Sequence, residues 1–239
     1  HSPFVFEFIT RVLNDRRNFY AFESIEKIRE QLLSNHNTIE IEDFGAGSRV
    51  AKTNTRKISA VAKGSLKPAK YSQLLFRMID FYAPGQIIEL GTSLGITTAY
   101  LASANPAATV TTFEGSTAVA QIAAQNHQLL GLKNIILLEG NFDEQVPKWL
   151  EQHKSIDFAF VDGNHAFKPT MTYFEALLEV VHENSILVFD DIHWSTEMEQ
   201  AWAQISEHPR VTLSIDLFFI GVVFFRQEFA QKQQVSIRF

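Results

Sequence analysis

Cysteine is absent from this sequence of 239 residues. Disulfide frameworks, thiolate metal sites and cysteine nucleophiles are therefore excluded. A long apolar run is missing as well, because the longest one, residues 217–225, contains Gly221 and falls well short of the ~20 residues that a membrane-spanning helix needs. No basic segment followed by an apolar one opens the sequence. We therefore expect a cytoplasmic protein that has no membrane partner.

An excess of positive charge is missing too. The chain has 21 Lys and Arg against 27 Asp and Glu, a net charge of -6, which disfavours a surface built to hold nucleic acid through counterion release. The exception is a basic segment, residues 49–70, which carries Lys and Arg but no acidic residue. We interpret this segment as a solvated surface, or alternatively as a lid or groove that receives an anionic substrate.

From residue 86 onward, short apolar runs alternate with stretches of helical period, which predicts an α/β fold with a parallel sheet covered by helices on both faces. The predicted strands are residues 86–90, 110–114, 134–139, 156–162 and 185–190. The predicted helices are residues 97–104, 116–130, 144–153, 169–181 and 196–206. The runs 211–216 and 218–225 are too close together for a crossover helix and predict an antiparallel strand pair.

Residues 1–85 have a different pattern, with helical periodicity at residues 3–13, 24–34 and 68–82. They predict a helical N-terminal extension or lid that precedes a main domain, residues 86–239. Within the extension, residues 38–42 resemble a strand that leads into a glycine-containing turn, Asp43-Phe-Gly-Ala-Gly-Ser48. No second strand ending in an acid follows this turn at the distance that a cofactor site requires, so we predict a structural turn or part of a lid.

A second glycine-containing turn has the stronger functional signal. The segment Ile87-Ile-Glu-Leu-Gly-Thr-Ser-Leu-Gly95 is an apolar strand that passes through a turn into a helix. Glycine lets the backbone approach a ligand closely, and the helix N-terminus supplies free N–H donors. The spacing E-x-G-x-x-x-G is not the dinucleotide spacing G-x-G-x-x-G, which disfavours a diphosphate ligand. The next strand ends at Glu114, whose carboxylate could accept both hydroxyls of a ribose.

Two later strands each end in acids, with a histidine three residues after the first acid. They read Asp162-Gly-Asn-His165 and Asp190-Asp191-Ile-His193. Because ligands collect at the carboxyl ends of parallel strands, which lie about 4.8 Å apart, we expect these groups to converge. Converging carboxylates favour a hard cation such as Mg²⁺. The predicted metal ligands are therefore Asp162, Asp190 and Asp191, with helix capping and a hydrogen bond to a cofactor amino group as the alternative.

The glycine turn, the acid of the second strand and the closing antiparallel pair together resemble class I S-adenosylmethionine-dependent methyltransferases. The resemblance implies a Rossmann-like, seven-stranded, mostly parallel sheet and S-adenosylmethionine as the cofactor. It places the adenine near Asn141 and Phe142, after the third strand. The cofactor pocket that it implies is lined by Glu89, Gly91, Thr92, Ser93, Gly95, Glu114, Gly115, Asn141, Phe142 and Asp162.

The D-G-x-H and D-D pattern resembles metal-dependent catechol-type O-methyltransferases, and resembles sugar and macrolide O-methyltransferases more closely. The catechol-type enzymes have Asp-Asn where this chain has Asp190-Asp191. The resemblance implies O-methylation of a small-molecule hydroxyl, with His165 and Asp162 as the catalytic pair and Mg²⁺ as a metal ion that could assist deprotonation of the hydroxyl. We expect a small-molecule acceptor, anionic if the basic segment lines the site, and a chain that acts alone or as a homodimer.

Three alternatives remain open at this point. A nucleic-acid methyltransferase could use the basic segment, but amino-directed base methylation usually shows an Asn/Asp-Pro-Pro-aromatic run where this chain has Asp162-Gly-Asn-His165. A non-catalytic S-adenosylmethionine-binding protein and an aminopropyltransferase would share the fold, since function depends on the grafted site.

Overall fold

The computed structural model describes residues 2–43, 52–229 and 231–239. Its helices are α1 (Pro3–Phe8), continued by a π-helical turn (Ile9–Leu13), α2 (Tyr20–Ser34), α3 (Ile58–Ser65), α4 (Ala69–Tyr82), α5 (Ile96–Ala104), α6 (Thr117–Leu129), α7 (Phe142–Gln152), α8 (Phe167–Leu178) and α9 (Thr196–Glu207). Its strands are β1 (Thr38–Asp43), β2 (Lys52–Lys57), β3 (Gln86–Leu90), β4 (Thr109–Glu114), β5 (Ile135–Glu139), β6 (Ile156–Val161), β7 (Val181–Asp190), β8 (Leu213–Asp216), β9 (Ile220–Phe224) and β10 (Gln233–Ser236). Every predicted strand and helix forms, with ends shifted by a few residues.

The chain divides into two compact units. Within the described residues, unit 1 comprises residues 2–43, 52–85 and 92–140. Unit 2 comprises residues 86–91, 141–229 and 231–239. The boundaries of these compact units differ from the predicted boundary after residue 85. The division into an N-terminal extension and a main domain stays a prediction.

Unit 2 contains six strands of the larger sheet, in the order β10-β8-β9-β7-β6-β3. Strands β3, β6 and β7 are parallel. Their near-continuous apolar sequences match this arrangement, because strands of a covered parallel sheet are buried on both faces, and Phe158 and Phe160 of β6 are fully buried. Strand β9 pairs antiparallel with both β7 and β8, which confirms the predicted antiparallel pair.

Strand β10 is an addition that the sequence pattern did not predict. It lies parallel to β8, with Val235 opposite Ile215, and makes the larger sheet eight-stranded among the described residues rather than seven-stranded. Each of the seven predicted strands contains two or more apolar residues, whereas Val235 is the one apolar residue of β10. Its pairing with β8 therefore has no local signal in the sequence.

Unit 1 contains the parallel pair β4 and β5 and a separate antiparallel pair, β1 and β2. The N-terminal segment predicted as helical thus includes a small sheet and the additional helix α3. Ile39 and Ile41 of β1 are half-buried against a core that contains Phe22, Ile25 and Val61. Beyond Asp43, the predicted turn that ends at Ser48 lies outside the described residues.

None of the helices in the described parts of the chain combines the length and the apolar character needed to cross a bilayer.

Candidate functional site

In unit 1, residues 92–95 form the turn that precedes α5, and hydrogen bonds fix the first half of this turn. The Thr92 N–H donates to the Phe113 carbonyl at 2.9 Å. The Ser93 N–H donates to Oε2 of Glu114 at 2.8 Å. The turn is therefore held against the end of β4, the strand that carries the predicted ribose acid.

Gly95 ends this turn in a left-handed backbone conformation, with φ of 81°. A Cβ at this position would lie 2.4 Å from Nε2 of His127 and 3.0 Å from the Cβ of Ala123. Left-handed backbone already disfavours residues that carry a Cβ, and here the space is also filled. The second glycine of the sequence motif is therefore required by the structure.

Glu114 ends β4 with a half-buried carboxylate that accepts two backbone N–H bonds. The donors are Ser93 at 2.8 Å and Ser116 at 3.0 Å. Burial raises the pKa of the Glu114 carboxyl, and the backbone N–H donors oppose that rise. Each carboxylate oxygen can accept more than one hydrogen bond. Glu114 can therefore bind ligand hydroxyls while its own position is fixed.

In unit 2, the ends of β3 and β6 make close backbone contact. The Asp162 N–H donates to the Leu90 carbonyl at 2.9 Å. A Cβ on Gly91, whose φ is 110°, would lie 2.1 Å from the Asp162 carbonyl oxygen. Glycine at this position is therefore a steric requirement of the two strands. Glu89, on β3, is fully buried.

The residues after β5 lie beside the end of β6. Gly163 leaves room for the ring of Phe142, which would come within 2.7 Å of a Cβ at that position. Asn141 accepts the Asp143 N–H at 3.0 Å and so caps α7. The polar and apolar residues that the resemblance assigns to adenine contact are thus adjacent at the start of α7, and one of them packs against the residue that follows Asp162.

A cavity of about 440 Å³ is lined in part by Phe142, Asp143 and Tyr173. The buried Tyr173 hydroxyl donates to Oδ1 of Asp143 at 3.0 Å and accepts from Nδ2 of Asn164 at 2.7 Å. Sequence reasoning did not select Asp143, Tyr173 or Asn164 as a group. The three lie on separate elements, and no spacing in the sequence indicates that they meet.

His165 lies between two of the strand-end acids. Its Nε2 is 3.5 Å from Oδ1 of Asp162, and its Nδ1 is 3.8 Å from Oδ2 of Asp191. The histidine side chain keeps 34% of its surface exposed, so a ligand can reach it. Asp190 is buried as the last residue of β7, while Asp191 adopts a left-handed conformation with φ of 52°. The structure thus brings Asp162, His165 and Asp191 together.

His193 belongs to a different group of side chains. Its Nε2 is 2.9 Å from Oδ2 of Asp216, and its Nδ1 is 3.4 Å from Oε1 of Glu199. The sequence pattern treats His165 and His193 alike, since each follows a strand-end acid by three residues. The structure separates them, because Asp216 at the end of β8 binds His193.

The strand-end carboxylates that the structure describes are not arranged as a set of metal ligands. Within residues 2–43, 52–229 and 231–239, no group of three or more His, Cys, Asp or Glu side chains is placed to hold a metal ion. The described side chains of Asp162, Asp190 and Asp191 therefore do not form the ligand set predicted for Mg²⁺.

Comparisons with known proteins identify a matching domain family and several structures with the same fold. Residues 88–192 match a family model described as a methyltransferase domain, and no curated protein matches the chain. An O-methyltransferase from Bacillus cereus in complex with S-adenosylhomocysteine is 18% identical, with 92% of this chain and 96% of that chain covered and a TM-score of 0.60. An O-methyltransferase from Streptomyces achromogenes, involved in tomaymycin synthesis and bound to S-adenosylmethionine, is 16% identical, with 93% and 95% covered and a TM-score of 0.62. An S-adenosylhomocysteine-bound methyltransferase from Podospora anserina is 13% identical, with 95% and 97% covered and a TM-score of 0.66.

The fold is thus shared with these neighbours over more than nine tenths of each chain. The matched domain begins inside β3 and ends just after β7. It therefore contains the glycine turn, Glu114 and the cluster around His165. Residues 88–192 thus match a methyltransferase domain, and the chain has the fold of the methyltransferases above that bind S-adenosylmethionine or S-adenosylhomocysteine.

Proposed function

We propose that this enzyme transfers the methyl group of S-adenosylmethionine to a hydroxyl of a small-molecule acceptor, with His165 as the general base. The observation that carries the proposal is the position of His165 between the carboxylates of Asp162 and Asp191, at 3.5 and 3.8 Å. A hydroxyl is a weak nucleophile until a base removes its proton, and histidine can do so near neutral pH.

For the cofactor, we propose the residues that the sequence motifs select. Glu114 accepts the ribose hydroxyls, and its two bonds from backbone N–H groups hold the carboxylate ready for them. Asn141 and Phe142 contact the adenine, which is supported by the cavity that Phe142 lines. The remaining members of the proposed pocket are Glu89, Gly91, Thr92, Ser93, Gly95, Gly115 and Asp162.

When bound, S-adenosylmethionine supplies an electrophilic methyl group. The acceptor oxygen forms its bond to the methyl carbon as the bond from that carbon to sulfur breaks. A ring nitrogen of His165 takes the proton of the hydroxyl, and the carboxylates of Asp162 and Asp191 stabilise the resulting imidazolium. Positioning of the acceptor in line with the methyl group supplies a further part of the rate acceleration.

The acceptor class rests on the chemistry of the site and on the neighbours. Two of the similar structures are described as O-methyltransferases, one of them involved in tomaymycin synthesis. In the described part of the basic segment, Arg56, Lys57 and Lys63 are exposed, and we propose that they attract an acceptor that carries an anionic group. We also propose that the protein forms a homodimer and is located in the cytoplasm.

The test has a binding arm and a catalytic arm. Titration calorimetry with S-adenosylmethionine should show that Glu114→Gln weakens binding by about tenfold or more, because hydrogen bonds to a charged group contribute about 1.5–3 kcal/mol. Glu139→Gln is the matched control, since Glu139 ends the neighbouring strand β5 opposite Glu114 and is exposed. Equal affinity in the two variants would remove the ribose assignment.

The catalytic arm uses radiolabelled S-adenosylmethionine and a panel of catechols, hydroxylated sugars, macrolides and phenolic acids. With an accepted compound, His165→Gln should lower kcat by about 10²–10⁴ and leave the cofactor Kd unchanged. His193→Gln serves as the control, because His193 contacts Asp216 and Glu199 instead. Cofactor binding without turnover of any panel member would favour the non-catalytic binding protein over the enzyme proposed here.

A further inference from the structure

Two adjacent side chains of α6 hold the second half of the turn at residues 92–95. Nδ2 of Asn126 donates to the carbonyl oxygen of Leu94 at 2.9 Å. Nε2 of His127 lies 3.0 Å from the carbonyl oxygen of Gly95. Both side chains are buried, at 7% and 5% exposure. Consecutive residues of one helix therefore reach consecutive carbonyls of one turn.

The proton positions of this contact follow from its chemistry. A carbonyl oxygen only accepts, so Nε2 of His127 must carry the hydrogen. Burial lowers the pKa of His127 to about 4, and the ring is neutral near pH 7. The Gly95 oxygen also accepts the Ala99 N–H at 3.0 Å as part of α5. The helix would form without the histidine, whose hydrogen bond is an additional restraint on the turn.

Packing alone does not explain a polar pair at these positions. An apolar residue could fill the same space, whereas a buried amide or imidazole is costly unless its polar atoms find partners. The turn, by contrast, needs external restraint, because Ser93 and Gly95 both adopt positive φ, at 48° and 81°. A backbone in sparsely populated conformations persists only where its surroundings fix it.

We infer that Asn126 and His127 are positioning residues that preorganise the turn at residues 92–95 for S-adenosylmethionine. The inference rests on the proposed function. Bonds from Phe113 and Glu114 hold the first half of the turn, and the α6 pair holds the second half. A site that is already in its bound geometry loses less conformational freedom on binding. The pair therefore acts on cofactor affinity without touching the cofactor.

The test compares two replacements of His127. His127→Leu removes the donor and keeps an apolar side chain of moderate size, whereas His127→Gln keeps an amide N–H at a similar distance from the backbone. We expect the Kd for S-adenosylmethionine and for S-adenosylhomocysteine to rise by about tenfold in His127→Leu and by less than about threefold in His127→Gln. Asn126→Leu should behave as His127→Leu does.

Ile28→Ala is the control for a general loss of stability. Ile28 is buried on α2 in the same unit, and its truncation should lower the melting temperature without changing the cofactor Kd. The inference is overturned if His127→Leu binds the cofactor as tightly as the wild type, or if Ile28→Ala weakens binding as much as His127→Leu does. Failure of the wild-type chain to bind the cofactor would instead overturn the proposed function.

Discussion

The buried imidazole of His127 should make the stability of this protein depend on pH in a way that one substitution removes. Burial holds the pKa of His127 at about 4, against 6.5 for a free histidine. Between these values the unfolded chain binds a proton that the folded chain does not, so stability is present above pH 6.5 and is lost as the pH falls toward 4. Between pH 7 and pH 5 the proton-binding difference integrates to about 2 kcal/mol.

Urea unfolding followed by tryptophan fluorescence, at pH 7 and at pH 5, measures this difference. The wild type should lose about 2 kcal/mol more unfolding free energy over this interval than His127→Gln, whose side chain does not titrate. Other titrating groups are shared by the two proteins and cancel in the comparison. His36→Gln, at an exposed histidine, should retain the pH dependence of the wild type. Identical pH dependence in the wild type and in His127→Gln would refute the reasoning.

Two substitutions in unit 2 test the close contacts of the site. Gly91→Ala places a Cβ 2.1 Å from the Asp162 carbonyl oxygen and should lower the unfolding free energy by about 3 kcal/mol or more in urea titrations. The control is Gly131→Ala, which is also at positive φ but has nothing within 4 Å and should lose only about 1 kcal/mol. Equal losses of unfolding free energy in the two variants would contradict the importance of the contact with Asp162. Tyr173→Phe removes the hydroxyl that joins Asp143 to Asn164 and should cost about 1–3 kcal/mol in the same assay. An unchanged urea midpoint would show that this network does not stabilise the fold.

Much of the fold could be predicted from the sequence, because burial on both faces leaves a visible apolar run in each central strand. Strand β2 could not, since its sequence Lys-Thr-Asn-Thr-Arg-Lys contains no apolar residue. It forms through pairing with β1, where Ile39 lies opposite Arg56. The interaction that stabilises such a strand comes from a partner elsewhere in the chain, and no local pattern encodes it.

The same distinction applies to the site. Gly91 and Gly95 are recognisable because neighbouring atoms, of the backbone at Gly91 and of side chains at Gly95, leave no room for a Cβ, and this constraint is visible in the sequence as a glycine. Asn126 and His127 are not recognisable, because polar residues on an amphipathic helix usually face solvent. The resemblance selected His165 rather than His193, but the spacing alone treats the two alike, and only the tertiary structure shows that Asp216 binds His193.

The eighth strand of the larger sheet has a consequence for the solubility of the protein. An unpaired strand edge exposes N–H and C=O groups to which another chain can add. Pairing with β10 covers the side of β8, whose residues Leu213 and Ile215 are fully buried, and leaves a short strand rich in glutamine at the border. A protein shortened by this last strand would expose the backbone N–H and C=O groups along β8 and would self-associate at concentrations where the full chain remains dispersed.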